Sequence, residues 1–151
     1  YFNGNINNIP FEFSEVTIKI KRDKSYHTIY KGPFFAVQFS HNFNSHTVVV
    51  PDTLEKSMGG FGRALQKLNL SRLKEKLIKI DNVEFEKKFA VYSRDEQEAK
   101  KILQHNICSL LIEERNRLGK RGNIYFAFNE NKFFLGISNF ADIFMINITC
   151  R

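Results

Sequence analysis

Phe85-Glu-Lys-Lys-Phe-Ala-Val-Tyr-Ser-Arg-Asp-Glu-Gln-Glu-Ala-Lys-Lys-Ile-Leu103 changes its hydrophobic period partway along, and that change sets the fold class. Glu84 to Lys88 has room for one helical turn, and Phe89-Ala-Val-Tyr92 reads as a short buried strand. Ser93-Arg-Asp-Glu96 fits a capping box. The Ser93 hydroxyl would accept from a free N–H of the first turn, and Glu96 would reach back to the Ser93 N–H. On that reading Ser93→Ala costs about 1 kcal/mol. Asp95 and Glu96 suit the positive end of the helix dipole. Behind the cap, Ala99, Ile102, Leu103, Ile107, Leu110 and Leu111 keep helical phase and mark a buried stripe. Glu96–Lys100 and Glu113–Arg117 are spaced as supporting ion pairs on the wet side. Gln104-His-Asn106 is the weakest point, so the region is either one long helix or two in series. Gly119 or Gly122 ends it.

Working outward, Val16-Thr-Ile-Lys-Ile-Lys21 alternates apolar and polar residues, the mark of a half-buried strand. Tyr1 to Pro10 is Asn-rich and reads as a lead-in. Arg22-Asp-Lys-Ser25 is a turn, Tyr26 to Tyr30 a strand, and Phe34 to Phe39 its continuation past a bend or bulge at Gly32-Pro33. Thr47-Val-Val-Val50 is a strand stopped by Pro51, and Leu77-Ile-Lys-Ile80 is another. Between them, Ser57 to Gly62 is glycine-rich and Arg63 to Lys76 has a weak helical pattern. Ile124 to Phe128, Asn129-Glu-Asn131 and Lys132 to Ile137 make a hairpin, because Asn tolerates turn conformations. Asn139 to Ile143 suits a helical turn and Phe144 to Ile148 a last strand. The expectation is one α+β domain over residues 1–151: a mostly antiparallel sheet of about six strands, covered on one face by the Ser93–Leu118 region.

Sixteen Phe among 151 residues supply ring area for a thick core, so the chain needs no metal or disulfide to fold. Lys+Arg 23 against Asp+Glu 16 gives a net charge of +7, which favours anionic partners. The excess is local. Lys56, Arg63, Lys67, Arg72, Lys74, Lys76 and Lys79 follow one another with Glu75 as the sole acid among them. The two cysteines, Cys108 and Cys150, belong to no CxxC. A reducing compartment fits this sparse usage, with a Cys108–Cys150 disulfide left open. No apolar run reaches the ~18–20 residues of a bilayer span, and no signal peptide opens the chain. The start at Tyr1 rather than Met suggests sequence upstream.

The series Phe85, Glu86, Phe89, Val91, Tyr92, Ser93, Asp95, Glu98, Ala99, Ile102 and Leu103 resembles the bacterial domain-of-unknown-function family 3137 (DUF3137). Further segments fit in order: Phe13-Ser-Glu15, Tyr30-Lys-Gly-Pro-Phe34, Gly62-Arg-Ala-Leu-Gln66, Ile124 to Ile137 and Asp142-Ile-Phe144. Gln104-His-Asn106 departs from the Thr-Pro-like helix break expected there. The resemblance implies an N-terminal pair of transmembrane helices ahead of this soluble domain. It implies no activity, cofactor or catalytic residue.

Candidate chemistry is sparse. His27, His41, His46, His105, Cys108 and Cys150 are the metal donors of note. His105 and Cys108 stand three apart on the helix, but a closed zinc site needs two more donors at recognisable spacing. The plainer reading puts Cys108 in the core and His105 on the surface. No G-x-S-x-G and no evident Cys–His pair is present. Gly59-Gly-Phe-Gly-Arg63 lacks the Gly-Lys-Ser/Thr of a phosphate loop and reads as a hinge. Nucleic-acid binding lacks a motif. Arg63, Lys67, Arg72, Lys74, Lys76 and Lys79 form a candidate contact for an anionic surface, at about 1 kcal/mol per cation near a charged bilayer. The reading is therefore a binding or scaffolding module without catalytic residues, metal or cofactor, facing the cytoplasm at a bacterial inner membrane. Its partner would be the membrane surface or another membrane protein. The alternatives are an enzyme whose site is not legible, or a binder of anionic lipid or nucleic acid.

Overall fold

The computed structural model describes residues 1–22, 24–53, 75–119 and 122–138. Among these, the strands are β1 (Phe2–Ile6), β2 (Ile9–Arg22), β3 (Ser25–Gln38), β4 (Thr47–Pro51), β5 (Lys76–Ile78), β6 (Phe89–Ser93), β7 (Asn123–Asn129) and β8 (Lys132–Ser138). The helices are α1 (Val83–Glu86), α2 (Glu96–Ile102) and α3 (His105–Arg117). The strands form one sheet of eight in the order β1-β2-β3-β8-β7-β4-β6-β5, and the pairs are antiparallel. The α+β class and the antiparallel sheet hold, with two more strands than the expected six.

Part of that surplus lies in the segment expected to be a lead-in. Asn7 and Asn8 both take positive φ, 50° and 63°, which Asn tolerates. That closes a two-residue hairpin and pairs β1 with the start of β2. The expected interruption at Gly32-Pro33 is also displaced, since β3 runs through it. The irregularity falls instead between Ile18 and Lys19, opposite Tyr30 and Thr28. Gly32 is nonetheless required: at φ 155°, a Cβ there would lie 2.1 Å from the Ile137 carbonyl oxygen.

Alternation puts Ile78, Val91, Val49, Phe126 and Leu135 on one face of the sheet through successive pairings. Phe85 of α1, Ala99 at α2, Leu103, and Cys108 and Ile112 of α3 join that face in one core, with Phe85, Val49 and Ala99 sealed from solvent. Replacing a sealed phenylalanine by alanine costs about 3–5 kcal/mol, so Phe85 anchors the helical layer.

The helical region is two helices, not one. Leu103 leaves helical geometry at ψ 49° and Gln104 is extended, so the chain breaks at the weak point. The break resets the phase. In α3 the inward residues are Ile107, Cys108, Leu111 and Ile112, while Leu110 turns out and is 52% exposed, against expectation. Gly119, at φ 65°, follows the last turn and ends α3. Lys100 pairs with Glu96 at 2.9 Å as expected, whereas Arg117 pairs with Glu114 rather than Glu113.

Candidate functional site

Register at one rim of the sheet gathers the polar residues. Thr47 of β4 pairs with Ser93 of β6, and Ser93 pairs with Lys76 of β5. One step beyond these strand ends come His46, Arg94 and Glu75, neighbours because three strands stop on one line. His46 Nδ1 lies 2.9 Å from Glu75 Oε1, and Arg94 Nε lies 3.7 Å from the same oxygen. The Glu75 side chain is 2% exposed, and its Oε2 is buried without a hydrogen-bond partner among the described residues. A buried carboxylate needs hydrogen-bonding or charged groups beside it, and His46 and Arg94 supply them at Oε1.

Beneath this row sits a hydroxyl network. Ser93 Oγ lies 2.9 Å from Thr47 Oγ1 and 3.3 Å from Ser45 Oγ. It also lies 3.2 Å from the His46 carbonyl and 3.1 Å from the Asp95 carbonyl, and it accepts from the Asp95 N–H at 3.2 Å. Ser93 and Thr47 are wholly buried. Ser93 is thus the last residue of a strand, not the helix cap expected of it. The cap is Asp95, whose Oδ1 accepts from the Glu98 N–H at 3.0 Å. Both residue types serve as caps; strand register claims Ser93 and leaves the position to Asp95.

The β3–β4 loop completes the wall. Phe39 and Phe43 donate N–H bonds to Asn131 and Glu130 at 2.8 and 2.7 Å, tying the loop to the β7–β8 turn. The Phe43 ring packs edge-on against Phe128 at 4.9 Å. Asn44 donates its N–H to Glu98 Oε1 at 2.7 Å, while Glu98 Oε2 is buried and unpartnered among the described residues. The result is an open cleft of about 420 Å³, with Phe43, Ser45, His46, Arg94, Asp95 and Glu130 among its lining residues. Chemically, a histidine held through Nδ1 by a buried carboxylate presents its other nitrogen to a ligand, and Arg94 supplies positive charge beside it. Sequence reasoning named His46 only as a stray metal donor. Glu75 counted as a lone acid in a basic run and Arg94 passed as a capping-box filler.

The other expected donors do not converge. Among the described residues no group of three His, Cys, Asp or Glu could hold a metal. Cys108 is buried, its thiol donates to the Leu103 carbonyl at 3.3 Å, and burial pushes its pKa up; His105 is exposed, as the plainer reading had it. Cys150 and the Gly59–Arg63 stretch lie outside the described residues, as do the Asn139–Ile143 turn and the Phe144–Ile148 strand. Of the candidate anionic-surface residues, Lys76 and Lys79 are exposed at the β5 edge, while Arg63, Lys67, Arg72 and Lys74 lie outside the described residues. Among the described residues no helix is long and apolar enough to cross a membrane.

A second basic feature was not foreseen. Among the described residues β3 pairs with β8 only over Phe34–Gln38, yet β2 and β3 stay paired from Glu15–Pro33 out to Arg22–Ser25. Lys19 stands opposite Thr28 and Lys21 opposite Tyr26, so these four share one side of the ribbon. Lys19, Lys21, Lys24 and Lys31 are exposed, as are Ile18 and Tyr26, the last at 69%. At the ribbon's base, Tyr30 lies edge-on to Tyr125 at 5.6 Å, covers Gly136, and donates its hydroxyl to the Pro33 carbonyl at 2.5 Å. Burial pushes its pKa up to about 12.

No curated protein and no solved structure matches this chain. A family model described as "Protein of unknown function (DUF3137)" matches residues 28–150, from the middle of the ribbon through the hairpin and beyond. With most of its length matched in order, the chain belongs to the DUF3137 family.

Proposed function

We propose that this domain is a non-catalytic binding module that works against the anionic cytoplasmic surface of a bacterial inner membrane. The observation that carries the reading is the β2–β3 ribbon. Its tip presents Lys19, Lys21 and Lys24 beside the exposed Tyr26, with Lys31 nearer the base. Cations near an anionic bilayer contribute about 1 kcal/mol each, and tyrosine favours the headgroup zone. Three or four such lysines give weak, salt-sensitive binding, suited to a domain held at the membrane by another segment. The basic residues expected at Arg63–Lys79 would add to the same attraction.

Sedimentation with vesicles tests this. The domain should pellet with phosphatidylserine-containing vesicles at low salt, less at high salt, and not with neutral vesicles. Lys19→Glu/Lys21→Glu/Lys24→Glu should lower the bound fraction by an order of magnitude or more. Equal pelleting with both vesicle types would refute the reading, as would tighter binding to nucleic acid than to the charged vesicles.

A second reading, an enzyme, is favoured by one observation: the His46–Glu75 hydrogen bond at the wall of an open cleft. A histidine so oriented is a general base in many hydrolases. A hydrolytic activity lost in His46→Ala but kept in the lysine variants would favour it over the membrane reading.

A further inference from the structure

Among the described residues the two ends of the sheet, β1 and β5, are built differently. The β5 edge is three residues long and carries Lys76, which guards against strand addition. The β1 edge, Phe2-Asn-Gly-Asn-Ile6, carries no charge and no proline, although the chain as a whole bears +7. Phe2 and Ile6 are each 61% exposed. An uncharged, apolar edge on a basic protein is the place where a second copy can approach without charge repulsion.

The hairpin geometry shows what that edge offers. A two-residue turn makes Ile6 and Ile9 a hydrogen-bonded pair, so Gly4–Phe11 and Phe2–Phe13 are hydrogen-bonded pairs too. The intervening residues, Asn3 and Asn5, therefore aim their backbone N–H and C=O groups away from β2, toward the open edge. The segment also reads alike from both ends: apolar, Asn, Gly, Asn, apolar. We propose that two copies of this chain pair antiparallel through β1 about a twofold axis at Gly4, forming one continuous sheet across the dimer.

In that register Asn3 faces the partner copy's Asn5, and Asn5 its Asn3, each pair exchanging two backbone hydrogen bonds. Gly4 faces Gly4 at a non-hydrogen-bonded position, where α-carbons come closest, at about 4.5 Å. Glycine fits there, and the Phe11 ring already occupies the place of a Cβ, lying 2.9 Å from where one would stand. Phe2 of each copy meets Ile6 of the other on the same face, covering two exposed apolar side chains. A one-residue slip would set Phe2 against Asn and break both matches. The contact is isologous, so it closes at two copies.

Sedimentation velocity over a concentration series tests the proposal on the whole chain. The wild-type mass should climb toward twice the monomer. Asn3→Pro removes an N–H that points only outward, so the fold should keep its melting temperature. Two intermolecular bonds are lost per dimer, and the dissociation constant should rise about thirtyfold. In a Cys150→Ser background, Phe2→Cys/Ile6→Cys should form covalent dimers on oxidation. Either cysteine alone should not, because like positions then lie about four residues apart along the pair, ~13 Å. If Asn3→Pro lowers the melting temperature, the cysteine pair decides. A wild-type monomer at all concentrations overturns the proposal, as it would if β1 served a strand of some other protein. Cross-linking as strong in the single-cysteine controls overturns it equally.

Discussion

Removing the Ser93 hydroxyl while keeping its Cβ separates a helix cap from a buried junction. A cap serine would cost about 1 kcal/mol on conversion to alanine. Here the hydroxyl is sealed from solvent, holds Thr47 Oγ1 at 2.9 Å and accepts the Asp95 N–H at 3.2 Å. Ser93→Ala leaves the Thr47 hydroxyl and the Asp95 N–H short of a partner, and each buried unsatisfied group costs about 1–3 kcal/mol. The sum is about 2–6 kcal/mol, or a melting temperature lower by roughly 4–24 °C for a chain of this size. Asp95→Ala, which removes the true cap, should cost only about 1 kcal/mol. Urea unfolding of both variants, with Thr47→Val and the Thr47→Val/Ser93→Ala double, gives the comparison. The double should be less than additive by at least about 0.5 kcal/mol, because both changes remove one shared hydrogen bond. A Ser93→Ala variant within about 0.5 kcal/mol of wild type, or costing less than Asp95→Ala, refutes the network.

Three other outcomes follow from single contacts. Gly32→Ala would drive a Cβ to 2.1 Å from the Ile137 carbonyl oxygen, backbone that cannot swing aside; we expect a loss of more than about 3 kcal/mol or insoluble protein, read by urea midpoint and expression. Tyr30 holds its proton up to about pH 12 in the fold but loses it near pH 10 when unfolded, so the folded state binds the extra proton between those values. The Tyr30 contribution to stability should therefore be level below pH 10 and fall by roughly 2–3 kcal/mol as pH rises to 12, and Tyr30→Phe should flatten that part of the curve. In a Cys150→Ser background, Cys108 should resist an aromatic disulfide reagent until urea unfolds the chain, since its thiol is buried and its pKa raised; fast modification of the native protein would contradict the packing.

The Phe89–Tyr92 strand, the helical run to Arg117 and the Asn129–Asn131 hairpin were legible because their signals are local: hydrophobic period and turn residues each act within a few positions. The helix break was visible as a weak point, but its consequence for Leu110 was not, since a phase reset shows only once the angle of the break is known. The Asn7-Asn8 turn was readable in principle, as two residues tolerant of positive φ between apolar neighbours, and was passed over because the segment is polar.

By itself the chain settled the class of fold, the inward seam of Ala99, Leu103 and Ile107, and membership of its family, all properties of residues near one another in sequence. Only the tertiary structure decided where the chemistry gathers. His46 and Glu75 are 29 positions apart, and nothing local couples them. They meet because β4, β6 and β5 lie side by side and stop at one rim, and strand order depends on long-range pairing that no local pattern encodes. The same holds for the basic ribbon: its lysines were plain, but that among the described residues β8 pairs with β3 only over Phe34–Gln38 depends on long-range register.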